Sequence, residues 1–375
     1  MKKILVVYGS AGEGHKKAAI AIYEELRRLS GQDVQVTLID ALDYTNKFFK
    51  FTYKMGYILL VKYTPTLWGL IYYLLDAKLF FILNKPFRRL INCINTRRLV
   101  KFLIKENFDV CVSAHFLAVE VMSSLKRKGI IHTRLITVIT DFKSHYFWLT
   151  KQVNSYVVAS EYTKQDLLSR KINEAVIKVY GIPIEKKFSI AKNKDEIINK
   201  LNVQKRDFTI LVMGGGFGVG PIKEIVKELQ SLKQDCQILV VCGHNKNLFD
   251  ELSALKPAFT KPTFIYGFCN NVDEIMYLSD VMVSKVGGLS SSESLASGLP
   301  IVAIAPIPGQ EARNAKFLLK NNIGFKIKNP KQALRAVSDL ISDRQQFLKT
   351  KEKIASLAKP NAAEDIARFT LEGLK

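Results

Sequence analysis

The residue most able to do chemistry near the start of this chain is His15, which closes the stretch GSAGEGH just after the apolar run ILVV. A glycine-rich turn between a strand and a helix lets a ligand come close to the backbone. The new helix adds free N–H groups and the positive end of its dipole. An imidazole in that first turn is disfavoured as a cation, so it stays neutral and able to accept a proton. The competing reading is a packing turn with an exposed histidine. The pattern GxxGxGH lacks the Lys-Ser/Thr ending of a P-loop, and no acid is placed as a ribose clamp for NAD.

Two further glycine clusters follow. GGGFGVG (214–220) comes after the apolar run TILVM, and its amides can wrap a pyrophosphate; many α/β turns are glycine-rich without doing so. In SKVGGLSSSE (284–293), Gly287, Gly288 and Ser290–Ser292 form an amide- and hydroxyl-rich turn at a helix start, again suited to phosphate. Glu293 is expected in the first turn of that helix. There it either accepts hydrogen bonds from a ribose diol or simply complements the dipole. PIPGQEARN then offers Gln310 and Glu311 to sugar hydroxyls. TDFKSHYFW (140–148) places Asp141 at the end of a strand, where ligands of parallel sheets bind. His145 and Trp148 are equally readable as packing residues, and His115 in SAH shares that ambiguity. His132 and His244 read as structural. There is no DxD, and no His, Cys and carboxylate cluster has metal-ligand spacing.

The elements that would position these residues come in two rhythms. Residues 1–183 alternate strands (KILVVYG, VQVTLID, FDVCVSAH, RLITVITD, SYVVAS) with helical patterns. GIPIEKKF (181–188) reads as a link. A second alternation runs from 184 to about 355 through FTILVMGGGFG, CQILVVCG, PTFIYGF, VMVSKVGG and GLPIVAIAP. Both imply an α/β domain with a parallel sheet. The final segment, 356–375, is expected to hold a helix starting at Asn361 and returning to the first domain.

The chain has 375 residues, is 48% hydrophobic and carries a formal net charge of +22. That composition is globular, and the charge calls for an anionic partner: nucleic acid, an acidic membrane surface or a phosphorylated ligand. Residues 1–183 hold 28 Lys+Arg against 14 Asp+Glu, the remainder 28 against 20. From Tyr44 to Lys105 there are 12 basic residues, fourteen aromatics (among them Phe48, Phe49, Phe51, Tyr57 and Trp68) and one acid, Asp76. This stretch reads as a helical insertion after the second strand. The bland alternative is a solvated basic face, but so many exposed aromatics are a liability without a partner. Cys93, Cys111, Cys236, Cys242 and Cys269 form no CxxC pair and read as free thiols in a reducing cytoplasm. The apolar run after the basic start is too short for a cleavable signal. The longest charge-free apolar candidate, YTPTLWGLIYYLL, is well under the roughly 20 residues of a spanning helix.

Taken together, GSAGEGHKKAAIAI, TDFKSHYFW, the GIPI link and YGFCNNVDEIMYLSDVMVSKVGGLSSSESLASGLPIVAIAPIPGQEARNA resemble the diacylglycerol glycosyltransferases. These are the processive bacterial diacylglycerol glucosyltransferases and the plant monogalactosyldiacylglycerol synthases of glycosyltransferase family 28, with MurG as a more distant relative. The resemblance covers nearly the whole chain, least clearly the insertion 44–105. It implies a GT-B fold, two Rossmann-like domains with parallel sheets facing a cleft, and an inverting transfer of a hexose, glucose first, from a UDP-sugar to the 3-hydroxyl of 1,2-diacylglycerol. No metal or other cofactor is implied. The first domain would take the lipid and the second the UDP-sugar. His15 would be the base, assisted by Asp141. Gly12, Gly14, His145 and Trp148 would line the acceptor side. Gly216, Gly218, Gly288, Ser291 and Ser292 would hold phosphates, Gly267 and Phe268 the uracil, Glu293 the ribose, and Gln310 and Glu311 the hexose. The family's SKPGG turn reads SKVGG here, which leaves the donor open.

With a lipid acceptor the insertion gains a role. Phe48, Phe49 and Trp68 would sink to the headgroup boundary while Arg88, Arg89, Arg97 and Arg98 face anionic lipid. The expected place is the cytoplasmic face of the cell membrane, held peripherally and without nucleic acid. The rival readings are a galactosyltransferase, a MurG-like GlcNAc transferase on a polyprenyl lipid, a basic nucleic-acid-binding protein, and a lipid-binding scaffold without catalysis.

Overall fold

The computed structural model describes Met1–Ser10 and Gly12–Leu374, with the backbone alone at Lys54, Tyr57, Ile58 and Lys62. The side chain of Tyr57, one of the insertion's aromatics, therefore lies outside the described residues. The chain divides into two compact units. The first comprises Met1–Glu185, Ile307–Gln310 and Asn361–Lys375, the second Lys186–Pro306 and Glu311–Pro360.

In the first unit the apolar runs form six parallel strands: β1 (Lys2–Tyr8), β2 (Val34–Asp40), β3 (Val110–Ser113), β4 (Arg134–Val138), β5 (Ser155–Val157) and β6 (Ile177–Lys178). Their order is β2-β1-β3-β4-β5-β6. The central strands are buried on both faces, which is why they read as unbroken apolar runs and not as alternation. Ile4, Val6, Val110, Val112 and Ile136 face one core, while Leu5, Val7, Cys111 and Leu135 face the other. Helix α1 (Glu13–Leu29) buries Ala18, Ala19, Ile22 and Leu26, with Glu13 in its first turn and Arg27 and Arg28 in its last, as the dipole favours. The insertion is five helices: α2 (Lys47–Tyr63), α3 (Pro65–Leu75), α4 (Lys78–Leu83), α5 (Lys85–Asn95) and α6 (Arg97–Glu106). Pro65 and Pro86 stand in the first turns of α3 and α5, where a missing N–H costs nothing. Helices α7 (Phe116–Arg127) and α8 (Glu161–Ser169) complete the alternation.

The second unit repeats the plan with β7 (Thr209–Met213), β8 (Gln237–Val241), β9 (Thr263–Tyr266), β10 (Val281–Ser284), β11 (Ile301–Ile304) and β12 (Gly324–Ile327). The order β12-β11-β10-β7-β8-β9 is the doubly wound dinucleotide-fold arrangement. Between and after these strands run α9 (Lys194–Leu201), α10 (Ile222–Leu229), α11 (Lys246–Leu255), α12 (Val272–Leu278), α13 (Gly288–Ala296), α14 (Gln310–Lys320), α15 (Lys331–Ser342) and α16 (Arg344–Leu357). The last helix, α17 (Ala362–Glu372), packs in the first unit on α1, where Glu364 pairs with Arg28 at 3.0 Å.

The α/β class with two parallel sheets is as the sequence implied. Strands β6 and β12 were not legible in it: one is two residues long, and the other is only part-buried.

Candidate active site

In each sheet the strand order reverses once, between β1 and β3 and between β7 and β10. At such a reversal the connecting helices leave to opposite faces, and the carboxyl ends of the two strands open a crevice. The first sheet's reversal carries GSAGEGH after β1 and SAH after β3. The second carries GGGFGVG after β7 and SKVGG after β10.

His15 is the third residue of α1, whose N-cap, Gly12, has no side-chain capping bond. Its ring lies among the carboxyl ends of three strands. Nδ1 is 2.9 Å from Thr140 Oγ1, just past β4. The ring centroid is 5.2 Å from that of His115, edge to face, and 6.0 Å from that of Trp148. Desolvation by these neighbours pulls its pKa down to about 4, against a smaller upward pull from the Ala114 carbonyl. The positive end of the α1 dipole favours a neutral His15, and burial acts in the same direction. His115 is buried and held well below its ordinary pKa by desolvation, with His15 adding to it. It caps α7 through Nδ1, which accepts the Leu117 N–H at 3.3 Å. Gly9 is required beneath it, since a Cβ there would stand 2.7 Å from the His115 ring. Gly14 lies in the first turn of α1 with His15.

His145 and Trp148 are buried. His145 Nδ1 accepts the Phe147 N–H at 3.2 Å and Nε2 donates to the Tyr72 carbonyl at 3.2 Å. Both nitrogens are hydrogen-bonded within the unit. Trp148 walls the His15 ring. Asp141 is half-buried on the same loop.

In the second unit Gly218 is fixed by packing: its φ is +57°, and a Cβ would fall 2.1 Å from the Cys242 carbonyl. Its carbonyl accepts from Asn245 Nδ2 at 3.1 Å, and the Gly216 carbonyl accepts the His244 N–H at 2.8 Å. The glycine cluster therefore has a loop-packing reason independent of any phosphate. Phe268, after Gly267, is exposed and stacks on His244 with centroids 4.1 Å apart and planes 14° apart. His244, read as structural from sequence, is thus half of an aromatic platform.

Helix α13 begins at Gly288 with Gly287 as its cap. Glu293 is consequently in the second turn and buried, which corrects its expected first-turn position; the glycines themselves open the helix. Ser291 is fully buried, and its hydroxyl has no hydrogen-bond partner among the described residues. The Ser292 hydroxyl donates to the Gly288 carbonyl at 3.0 Å. Glu311 lies 3.4 Å from Lys285, and the fully buried Asn314 donates to the Val286 carbonyl at 3.0 Å. Lys285 and Asn314 hold the SKVGG turn, and sequence reasoning missed both. Gln310 opens α14 at the end of the stretch Ile307–Gln310, which clusters with the first unit, where Pro308 lies against Gly69 and Gly309 against Tyr72 and Trp68.

On the insertion, Phe48, Arg89, Arg97 and Arg98 are exposed, and Phe49 and Trp68 half-buried. Arg88 departs from the lipid-facing expectation. Only 13% of its side chain is exposed; it stacks over the Phe81 ring at 3.8 Å and reaches Glu120 at 3.6 Å. Among the described residues no group of three or more His, Cys, Asp or Glu could hold a metal ion, and no helix is long and apolar enough to cross a membrane.

Comparison with known proteins finds relatives for both units. Residues 15–184 match the monogalactosyldiacylglycerol (MGDG) synthase family and residues 193–359 the glycosyl transferases group 1 family. The processive diacylglycerol beta-glucosyltransferase of Bacillus licheniformis is 28% identical over 99% of this chain and 95% of its own. Among solved structures, Acinetobacter baumannii MurG superposes with a TM-score of 0.65 at 16% identity, covering 99% of this chain and all of that one. Anabaena HepE in complex with UDP-glucose superposes with a TM-score of 0.58 at 13% identity, covering 99% and 100%. A monogalactosyldiacylglycerol synthase domain followed by a group 1 glycosyl transferase domain, on two doubly wound sheets, makes the chain a glycosyltransferase of the GT-B fold, similar over nearly its whole length to proteins named processive diacylglycerol beta-glucosyltransferase.

Proposed function

We propose that this enzyme moves glucose from UDP-glucose to the 3-hydroxyl of a 1,2-diacylglycerol at the cytoplasmic face of the cell membrane, with inversion and without a metal ion. The observation that carries the reading is the kinship, over 99% of the chain, with a protein named for beta-glucosyl transfer to diacylglycerol. UDP-glucose is an α-glycoside, so a β-product requires inversion in a single displacement.

In that displacement the glycerol oxygen bonds to the anomeric carbon as the carbon–oxygen bond to UDP breaks, and the electron pair leaves with UDP. His15 takes the hydroxyl proton and becomes an imidazolium. Its neutral ring at the strand-order reversal suits the task. Asp141, on the loop beside it, is the candidate assistant. The uncapped amides opening α13 are the groups that would meet the charge on the departing UDP, with Phe268 beneath the uracil and Glu293 at the ribose. Helices α2–α5 expose Phe48, Phe51, Leu70, Leu79, Leu83 and Phe87, each more than 60% accessible, among basic residues. Such a surface suits the headgroup boundary of an anionic bilayer and not a nucleic acid.

The test is incubation with diacylglycerol vesicles and UDP-glucose, UDP-galactose or UDP-GlcNAc, with lipid products weighed by mass. A hexosyl-diacylglycerol formed from UDP-glucose is expected. Product from UDP-galactose alone would move the reading to the galactosyl transfer for which the first half's family is named. No product from any donor would overturn it.

A further inference from the structure

We propose that His244 is a positioning residue for the donor nucleotide: its ring, stacked on Phe268, holds that side chain in the orientation that presents its other face to the nucleobase. The proposal rests on the reading of Phe268 beneath the uracil.

Strands β8 and β9 run in register, with Val241 beside Tyr266, and the Cys242 N–H donates to the Tyr266 carbonyl at 2.8 Å just past the end of β8. The residues that follow, Gly243–His244 and Gly267–Phe268, therefore leave the carboxyl edge side by side. Phe268 is 53% exposed and follows a glycine with open space around its Cβ position. A phenyl on such a loop has three staggered χ1 wells, and burial selects none of them. His244 is exposed too, but its backbone is fixed. Its N–H donates to the Gly216 carbonyl at 2.8 Å. Gly243 before it has a φ of +58°, and a Cβ there would fall 2.3 Å from that same carbonyl, so only glycine lets the two loops lock. Asn245 after it donates from Nδ2 to the Gly218 carbonyl at 3.1 Å and accepts the Leu248 N–H at 3.1 Å. The glycine cluster thus anchors the histidine on both sides, and the histidine is the firmer of the two rings.

The two rings are parallel to within 14°, with centroids 4.1 Å apart. Phe217 is 6.4 Å from His244 and tilted by 48°, too far off to stack. An aromatic pair favours one arrangement by about 2- to 10-fold. His244 covers one face of Phe268, and a second face that is already oriented takes a ligand without the cost of ordering it. The platform also stands where a base is needed. β8 and β9 lie beside β7, so at about 4.8 Å per strand the platform is about 10 Å from the reversal between β7 and β10. The amides of α13 open after β10, at that reversal. A ribose and its diphosphate bridge such a distance, from a base on the platform to phosphate at the amides. Stacking accepts any planar base, so the platform supplies grip and not the choice of uracil.

The experiment is calorimetric titration of the full chain with UDP and with CDP, beside steady-state kinetics on diacylglycerol vesicles. His244→Ala should weaken UDP binding by about 3- to 10-fold and raise KM for UDP-glucose by the same factor, with a smaller change in kcat. His244→Phe keeps a ring to stack and should return both to within twofold of the parent. The factor lost in His244→Ala should be the same for CDP as for UDP, because a stack does not read the edge of the base. In the ligand-free parent, nuclear Overhauser contacts between the His244 and Phe268 rings are expected, and that measurement needs no variant to fold. UDP affinity of His244→Ala within twofold of the parent, no rescue by His244→Phe, a loss confined to UDP, or rings without mutual contact would each overturn the proposal. Phe268→Ala separates this failure from that of the reading beneath it. If that variant binds UDP as the parent does, Phe268 does not lie beneath the uracil. If it loses tenfold or more while His244→Ala loses nothing, the reading of Phe268 stands and the positioning role of His244 is gone.

Discussion

Asp76 meets Arg170 with both carboxylate oxygens, Oδ1 to Nη1 and Oδ2 to Nη2, each at 3.0 Å. Asp76 is the single acid between Tyr44 and Lys105, and it is buried. It caps α3 and also accepts the Tyr146 N–H at 2.7 Å. Arg170 in turn lies 4.4 Å over the Tyr146 ring, 3.3 Å from Asp166 and 3.2 Å from the Ser144 carbonyl. Burial alone would lower the Arg170 pKa; the hydrogen bond and charge of Asp76, with the charge of Asp166 and the Tyr146 hydroxyl adding to them, outweigh it, and the pKa is raised. This cluster ties the aromatic helices to the loop that carries Asp141 and Trp148.

Removing one member should therefore cost more than a surface pair would. Asp76→Ala leaves a buried guanidinium with Asp166 as its remaining countercharge, and unpairing of this kind costs about 3–5 kcal/mol. Asp76→Leu with Arg170→Met removes both charges and should cost less than Asp76→Ala alone. Denaturant unfolding of the three chains checks this. An Asp76→Ala chain as stable as its parent would mean that the cluster holds nothing together.

The residues of this clamp show how far the sequence could be read. The strands were legible because both sheets are covered on both faces, so their residues form apolar runs between glycine-rich turns. His15 was legible because its neighbours in sequence are also its reason. Asp76 stood out as a lone acid, but nothing in the chain pairs it with Arg170, 94 residues away. Thr140 and His15 are separated by 125 residues and meet only through strand order. Arg88 looked like its neighbour Arg89, and helix phase alone turned one inward. Glu293 was misplaced by a turn because glycines open α13 earlier than a polar cap would.

The depressed pKa of His15 sets two pH responses. Between the ordinary value near 6.5 and about 4, the unfolded chain binds a proton that the folded chain refuses. Stability is therefore fully present above about pH 6.5, falls as pH drops through this window, and loses nothing more from this group below it. Linkage bounds the loss at roughly 3 kcal/mol, and His115, shifted the same way, adds to it. Turnover should hold down to about pH 5 and fall tenfold per unit below about pH 4. His15→Gln should flatten part of the stability slope while abolishing transfer. Unfolding free energies at a series of pH values, beside a kcat profile, measure both. A kcat midpoint near 6.5 would show that the ring is not desolvated in the working enzyme.

The metal-free reading concerns the helix starts of the second unit. Gly287 caps α13 without a side-chain bond, so its first amides are available to an anion. If these amides carry the charge of the departing UDP, EDTA should leave turnover within twofold of the untreated enzyme, and added magnesium or manganese should not raise it. A loss beyond tenfold with EDTA, restored by one of these ions, would assign the charge to a metal instead.

Docking separates two adjacent arginines. Arg89, Arg97 and Arg98 are exposed, and each basic residue near an anionic surface is worth about 1 kcal/mol, so changing all three to Gln should weaken vesicle binding by up to roughly 100-fold at low salt. Added salt should narrow the gap, because the lost term is screened. Arg88→Gln should behave differently. Its guanidinium is stacked on Phe81 and turned toward Glu120, so its loss should lower the unfolding midpoint while leaving vesicle affinity within about twofold of the parent once folded. Sedimentation with vesicles of increasing anionic content, run beside thermal unfolding, distinguishes the two. If the triple variant bound as the parent does, the basic charge of these helices would have no part in holding the enzyme to its lipid.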